Sequence, residues 1–285
     1  MFEKREQRVI AILGAIPVIL IANSCSTGPQ PAKMGTPPFY WLAAKAAFTA
    51  ADYVKTNNHL EQLTKSDNEF TSRALPWRLV LTAGMAKGYA ELADTYEAGA
   101  RANKINPTPF RRQTADYRSA ASSLALQFVE TFLKFSKTRY EQNIPLAFSF
   151  PTGSATPIQE LSKISFGAAL PPTVAESVPK RVIERAVVLS ACDAVGAQDD
   201  VAKAQAVFRS ENPQAPNDVF MVALAKTLFD LSVLFSRTKL DQPDRVELFC
   251  NQALEALKNV KETKETKDLT GKIRGTLKGL RSGRA

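Results

Sequence analysis

Residues 117–135, "YRSAASSLALQFVETFLKF", carry the pattern that decides the fold. Their apolar side chains step along the chain by four, three, four, four and three residues, at Tyr117, Ala121, Leu124, Phe128, Phe132 and Phe135. This spacing places one apolar face along a helix and predicts that the face packs against a neighbour. Similar stripes recur at 41–51, 220–235 and 246–257. We therefore predict an all-α fold built from antiparallel helical hairpins.

Prolines divide the chain into candidate helical segments. Proline costs about 3 kcal/mol inside a helix, so long stretches without it are predicted to be helices or helix pairs. The proline-free windows are 39–75, 77–106, 110–144, 180–212, 217–242 and 244–285. Gly84 and Gly88 lie four residues apart in one window, and this spacing predicts that another helix approaches closely there.

The window pattern also suggests a domain organisation. Six prolines crowd residues 145–179, which are predicted to be an irregular connection containing one short helix at 158–165. "LAFSF", residues 146–150, is the only strand-like stretch. The connection would separate an N-terminal helical half, 39–144, from a C-terminal hairpin half, 180–262. A basic tail, 263–285, follows.

The N-terminus resembles a bacterial lipoprotein signal. A basic start precedes an apolar run at 9–22, and small residues then lead to Cys25. The run is shorter than the roughly 20 residues that a membrane span needs. The resemblance implies a signal at 1–24, lipidation of Cys25 and a flexible proline-rich tether at 25–38. An ordinary cleaved signal or an uncleaved anchor, with an incidental cysteine, stays open.

The lipoprotein resemblance implies a location in the cell envelope. The chain would be lipid-anchored, and Ser26 after the cysteine favours the outer membrane, facing the periplasm, by analogy with bacteria that have two membranes. A three-chain anchor would hold it firmly, since a single acyl chain binds only marginally.

Two segments of the C-terminal half resemble tetratricopeptide-type repeats. In residues 181–213 a long helix ends near Gly196, Asp199 caps the next helix, and Pro213 closes the unit. Residues 219–257 form a second candidate pair. The sequence departs from the family at several helix positions, so an irregular helical bundle remains the alternative.

A further resemblance is to the accessory lipoproteins of TRAP-type transporters, the TatT type. It rests on "RALPWRLVLTAGMAKGYAELADTYEAGA", residues 73–100, where an aromatic-rich segment follows a proline. The family implies a pore or cleft in a helical bundle that contacts a small organic solute or a partner. No binding residue carries over to this chain.

The sequence offers little for catalysis. His59 is the only histidine, and the glycine-rich, nucleophile-elbow and zinc-protease motifs are missing. Cys192 and Cys250 lie on apolar helical stripes and are either a disulfide or two buried thiols. Two cysteines and one histidine do not make a standard structural zinc site. We predict a non-enzymatic protein without metal or cofactor.

Positive charge concentrates at the C-terminus. Residues 258–285 contain nine basic and three acidic residues, in a chain of net charge +9. The sequence allows a solvated, frayed end or a contact with anionic lipid headgroups. The residues that would make this contact are Lys272, Arg274, Lys278, Arg281 and Arg284. Export argues against nucleic acid as a partner.

Together these features predict a membrane-anchored adaptor that binds an envelope protein. The alternative is a solute-binding accessory component of a TRAP-type transporter. The first predicts a surface for protein contact, and the second predicts a pocket with an apolar lining and few polar groups.

Overall fold

Ten α-helices and one two-stranded ribbon form the part of the chain that the structure, a computed structural model, describes: residues 32–138, 140 and 142–282. The helices are α1 (Pro37–Thr49), α2 (Tyr53–Leu63), α3 (Thr71–Ala102), α4 (Thr108–Phe135), α5 (Gln159–Ser165), α6 (Pro172–Ala194), α7 (Val201–Phe208), α8 (Asn217–Ser232), α9 (Pro243–Leu257) and α10 (Lys264–Arg281). A 3₁₀ turn, Val233–Phe235, extends α8. The all-α prediction is confirmed. The predicted signal, 1–24, and the first half of the predicted tether, 25–31, lie outside the described residues.

The long helix α3 is the centre of the fold. It has 32 residues and packs against α4 on one side and α6 on another. Gly84 permits the α6 contact, because a Cβ at this position would lie 2.6 Å from Val187 Cα. A Cβ on Gly88 would lie 2.8 Å from Ile183 Cδ1. The predicted close helix approach at the two glycines is confirmed.

Two prolines that bound the predicted windows lie inside helices, although the sequence predicts that Pro76 starts or kinks a helix. Pro76 lies inside α3 and Pro179 lies inside α6. Each proline removes only one helical hydrogen bond, to the carbonyl four residues earlier, which lies in the first turn of its helix. The helices therefore begin before these prolines, and the connection predicted to end at residue 179 ends at Pro171.

The two predicted halves share one core. Trp77 of α3 packs against Phe48 of α1, Phe148 after the ribbon and Phe208 of α7, with ring centroids 5.0, 5.3 and 5.8 Å away. The chain from Lys33 onward clusters as one compact unit. The proline-rich stretch thus connects parts of one unit, because aromatic side chains from both its sides meet on Trp77. A smaller core lies at the C-terminal end of α3, around Leu92, Phe110 and Ile164.

The C-terminal hairpins are unequal, and the bundle is irregular. Helix α6 has 23 residues and α7 has 8, whereas α8 and α9 have 16 and 15. Asp200, not Asp199, caps α7, with its carboxylate accepting from the Lys203 N–H at 2.9 Å. Gly196 follows α6 with φ of 69°, as expected where a helix ends.

The ribbon pairs β1 (Asn143–Pro145) with β2 (Gln214–Pro216) in antiparallel register, Ile144 opposite Ala215. The strand-like stretch 146–150 follows β1 instead of forming it. Its first N–H, that of Leu146, donates to the Pro213 carbonyl at 2.8 Å. Pairing stops there because proline has no N–H to return.

The predicted basic tail is a packed helix as far as Arg281. Thr263 and Thr266 form a capping box at the start of α10. Ile273 is fully buried, and Leu269, Leu277 and Leu280 pack against the main core. Over the described residues, no helix is both long enough and apolar enough to cross a membrane.

Candidate interaction surfaces

The residues predicted to carry function fall into three groups. Cys25 and Arg284 lie outside the described residues. Cys192 and Cys250 are free, buried thiols, on α6 and α9. Burial raises the pKa of the Cys192 thiol to about 11 and also raises the pKa of Cys250. The sequence left open a disulfide or two buried thiols, and in the structure the two cysteines are buried thiols.

The third group is the set of basic residues predicted on α10. Helix geometry places them on two different sides of the helix. Arg274, Lys278 and Arg281 are exposed on one flank of the helix. Lys272 lies about 200° around the axis from Arg274, at 3.6 residues per turn. It lines a groove together with Asp230 of α8. A single lipid surface can therefore contact the first three together, and Lys272 belongs to a different surface.

Two grooves meet at the 3₁₀ turn after α8. The first, about 570 Å³, lies between α3 and the turn and has an apolar floor of Ala90, Leu231, Val233 and Leu234. The second, about 580 Å³, lies between the turn and α10 and includes Phe229, Val246 and Leu280. Val233 lines both grooves and is 48% exposed. We call this area, defined by the seven residues above, the Val233 surface.

Charged side chains of both signs surround the first groove. Lys239 Nζ lies 2.7 Å from both carboxylate oxygens of Asp94, and Arg185 pairs with Glu91. Lys87 Nζ forms ion pairs with both Asp193, at 3.5 Å, and Asp230, at 4.0 Å. The rim is therefore pre-ordered by ion pairs that join α3 to α6, α8 and the loop after the turn.

Asp230 has the longest ion-pair distance of the carboxylates on this rim, 4.0 Å to Lys87 Nζ. Desolvation raises the pKa of its carboxyl, although nearby Lys87 and Lys226 lower it and the side chain remains 46% exposed. A carboxylate that is partly desolvated and only loosely paired gains from an incoming cation. Lys272 also lowers this pKa, and a further lysine or arginine brought to this position would pair with Asp230.

A separate groove of about 380 Å³ lies at the start of α8. Val219, Val222, Ala223 and Val260 form its apolar lining, and side chains such as Lys226 and Asp218 stand at its edge. Most of its other lining residues are polar or charged, whereas the solute pocket expected from the transporter resemblance has few polar groups.

The structure does not assemble a recognisable catalytic group from the predicted residues. His59 lies on α2 beside the ring of Tyr40, with centroids 6.2 Å apart. Among the described residues, no three histidine, cysteine, aspartate or glutamate side chains are placed to hold a metal ion.

Sequence analysis missed the Val233 surface. The apolar stripe at 220–235 contains Leu231 and Phe235, and Val233 falls between them, off the helical spacing of the stripe. A large apolar residue off the stripe was the available signal. The grooves on either side arise from the packing of α3 and α10, which no local pattern encodes.

Comparison of the chain with known protein families, with curated proteins and with solved structures gave no match.

Proposed function

We propose that this protein is a lipid-anchored helical adaptor of the cell envelope, without enzymatic activity of its own. Lipidated Cys25 would hold it at the membrane, and the Val233 surface would bind an envelope protein. The observation that supports partner binding is the combination of an apolar groove floor, from which Val233 is exposed, with a rim of ordered, opposite charges. Protein interfaces have this anatomy, an apolar centre surrounded by polar groups.

Partner binding is tested with a photo-crosslinking amino acid at Val233 of the full chain in its own cells. We expect one discrete protein adduct. The control position is Val54 on α2, which is similarly exposed at 53% and lies outside the Val233 surface. Asp230→Lys should reduce the adduct at least about tenfold, since a disrupted interfacial charge costs more than 1.4 kcal/mol.

The matched charge reversal is Asp67→Lys, at an exposed aspartate without an ion pair among the described residues. It should leave the adduct unchanged. Equal crosslinking from Val233 and Val54, or an adduct insensitive to Asp230→Lys, would contradict the assignment of this surface.

The anchor is tested separately. We expect the intact mass of the native protein to correspond to a chain that begins at Cys25 and carries acyl groups. Cys25→Ser should move the protein from the membrane fraction to the soluble fraction. Cys192→Ser, at a buried thiol, is the control and should leave the protein in the membrane fraction. An unprocessed, acyl-free wild-type chain would refute the anchor.

The groove at Val219 supports a second candidate, a solute-binding accessory component of a TRAP-type transporter. Its apolar lining suits the hydrocarbon part of a small organic solute. A solute that co-purifies with the wild-type chain, and is absent from an Ala223→Trp variant with a filled groove, would favour this function over the adaptor.

A further inference from the structure

Two large apolar side chains protrude at the C-terminal end of α3. Ile105 is 98% exposed and Phe166 is 80% exposed. They lie on different loops, one between α3 and α4 and the other directly after α5. Neither side chain belongs to the Val233 surface or to α10. We refer to Ile105 and Phe166 as the apolar tip.

Asn103 fixes the two loops to each other. Its side-chain oxygen accepts from the Ile105 N–H at 3.1 Å and from the Asn106 N–H at 2.8 Å. Its amide nitrogen donates to the Gly167 carbonyl at 3.0 Å. Gly167 has φ of 80°, and a Cβ on it would lie 2.8 Å from the Asn103 nitrogen. The loops are thus held in one arrangement with both apolar side chains outward.

Basic side chains accompany the apolar tip in these two loop regions. They are Arg101, Lys104, Arg111, Arg112 and Lys163. Arg101 pairs with Glu97 at 2.8 Å. Lys163 lies three residues after Glu160, whose carboxylate pairs with Arg181 at 2.7 Å and also interacts with Lys163. Lys104, Arg111 and Arg112 are exposed, and no described carboxylate lies within 4.0 Å of them. These three cations therefore stand beside the exposed hydrocarbon without a paired carboxylate.

We propose that the apolar tip inserts into the surface of an anionic lipid bilayer. Ile105 and Phe166 would enter the boundary between headgroups and acyl chains, and Lys104, Arg111, Arg112 and Lys163 would meet lipid phosphates. Exposed apolar side chains beside clustered cations satisfy both terms of peripheral membrane binding, hydrocarbon burial and attraction to anionic headgroups. This contact is additional to the proposed anchor at Cys25, and it lies on elements different from α10.

The test places a polarity-sensitive fluorophore on the full chain at Ile105→Cys or Phe166→Cys. The chain is mixed with vesicles of phosphatidylcholine alone or with phosphatidylglycerol added. With the anionic vesicles we expect a blue shift, a severalfold gain in intensity and quenching by spin-labelled lipid. A fluorophore at Val54→Cys is the control and should stay in water. Cys25→Ser in all of these variants removes the third cysteine of the chain, and Cys192 and Cys250 are buried, which favours labelling at the introduced position.

Charge variants identify the surface responsible. The triple substitution Lys104→Glu, Arg111→Glu and Arg112→Glu should weaken insertion of the tip by at least about a hundredfold, since each basic residue contributes about 1 kcal/mol.

The matched triple is Arg274→Glu, Lys278→Glu and Arg281→Glu on α10, which should leave the tip fluorophore in lipid. A tip fluorophore that stays in water with anionic vesicles would overturn the inference. So would loss of the signal with the α10 triple but not with the tip triple. Because the readout is lipid contact at residue 105 or 166, it is independent of the protein partner proposed for Val233.

Discussion

Replacing Gly84 by alanine is expected to destabilise the protein by about 2–3 kcal/mol, although alanine is the better helix former. The added Cβ would lie 2.6 Å from Val187 Cα and 2.9 Å from the Val187 nitrogen. These are backbone atoms of α6, so the clash is relieved only if two long helices separate. The shift should appear as a lower midpoint of urea unfolding followed by circular dichroism.

Gly271→Ala is the matched control. Gly271 also lies inside a helix, α10, but nothing is within 4 Å of the position its Cβ would take. Here only helix propensity changes, and the substitution should stabilise the protein by up to about 1 kcal/mol. The same substitution, glycine to alanine, should therefore lower the free energy of unfolding at position 84 and raise it at position 271. A neutral or stabilising Gly84→Ala would show that α3 and α6 are not packed as described.

The sequence was most informative where one helical face packs against the core. The stripe of 117–135 lies within α4, and its apolar positions Phe128, Phe132 and Phe135 are buried. Hydrophobic periodicity depends only on residues close together in the sequence, so it can be recognised without knowing the tertiary structure. Proline was less informative, because its cost depends on how far it lies from the start of a helix. Pro76 and Pro179 lie close enough to that start for the helices to contain them.

The candidate surfaces could not be predicted in the same way, because tertiary contacts create them. Asn103 and Gly167 are 64 residues apart, and the hydrogen bond between them brings Ile105 and Phe166 to one end of the molecule. The Val233 surface likewise depends on α3 and α10 lying beside the end of α8. The excess of basic residues at the C-terminus is visible in the sequence. That Lys272 lies on a different side of α10 from Arg274, Lys278 and Arg281 follows only from helix geometry.

Trp77→Ala should have the largest effect on stability, a loss of about 3–5 kcal/mol. Trp77 is fully buried, and its ring packs against Phe48 before the proline-rich stretch, Phe148 within it and Phe208 after it. The cavity left by alanine would open the place where these segments meet. Urea unfolding should show the loss as a lower midpoint with one cooperative transition.

Trp77→Phe separates packing from polarity. The indole Nε1 has no hydrogen-bond partner among the described residues, so phenylalanine removes a buried, unpaired donor while keeping most of the ring contacts. We expect a cost of only about 1–2 kcal/mol.

Two probes then decide whether one core joins the halves in Trp77→Ala: Trp41 fluorescence reports on α1, and alkylation of Cys192 and Cys250 reports on α6 and α9. Because both groups pack in the core that contains Trp77, the probes should give the same unfolding midpoint. Two separated midpoints in Trp77→Phe, where Trp41 is likewise the only tryptophan, would instead support independent halves divided at residues 145–179. In that case the aromatic contacts of Trp77 would not couple them.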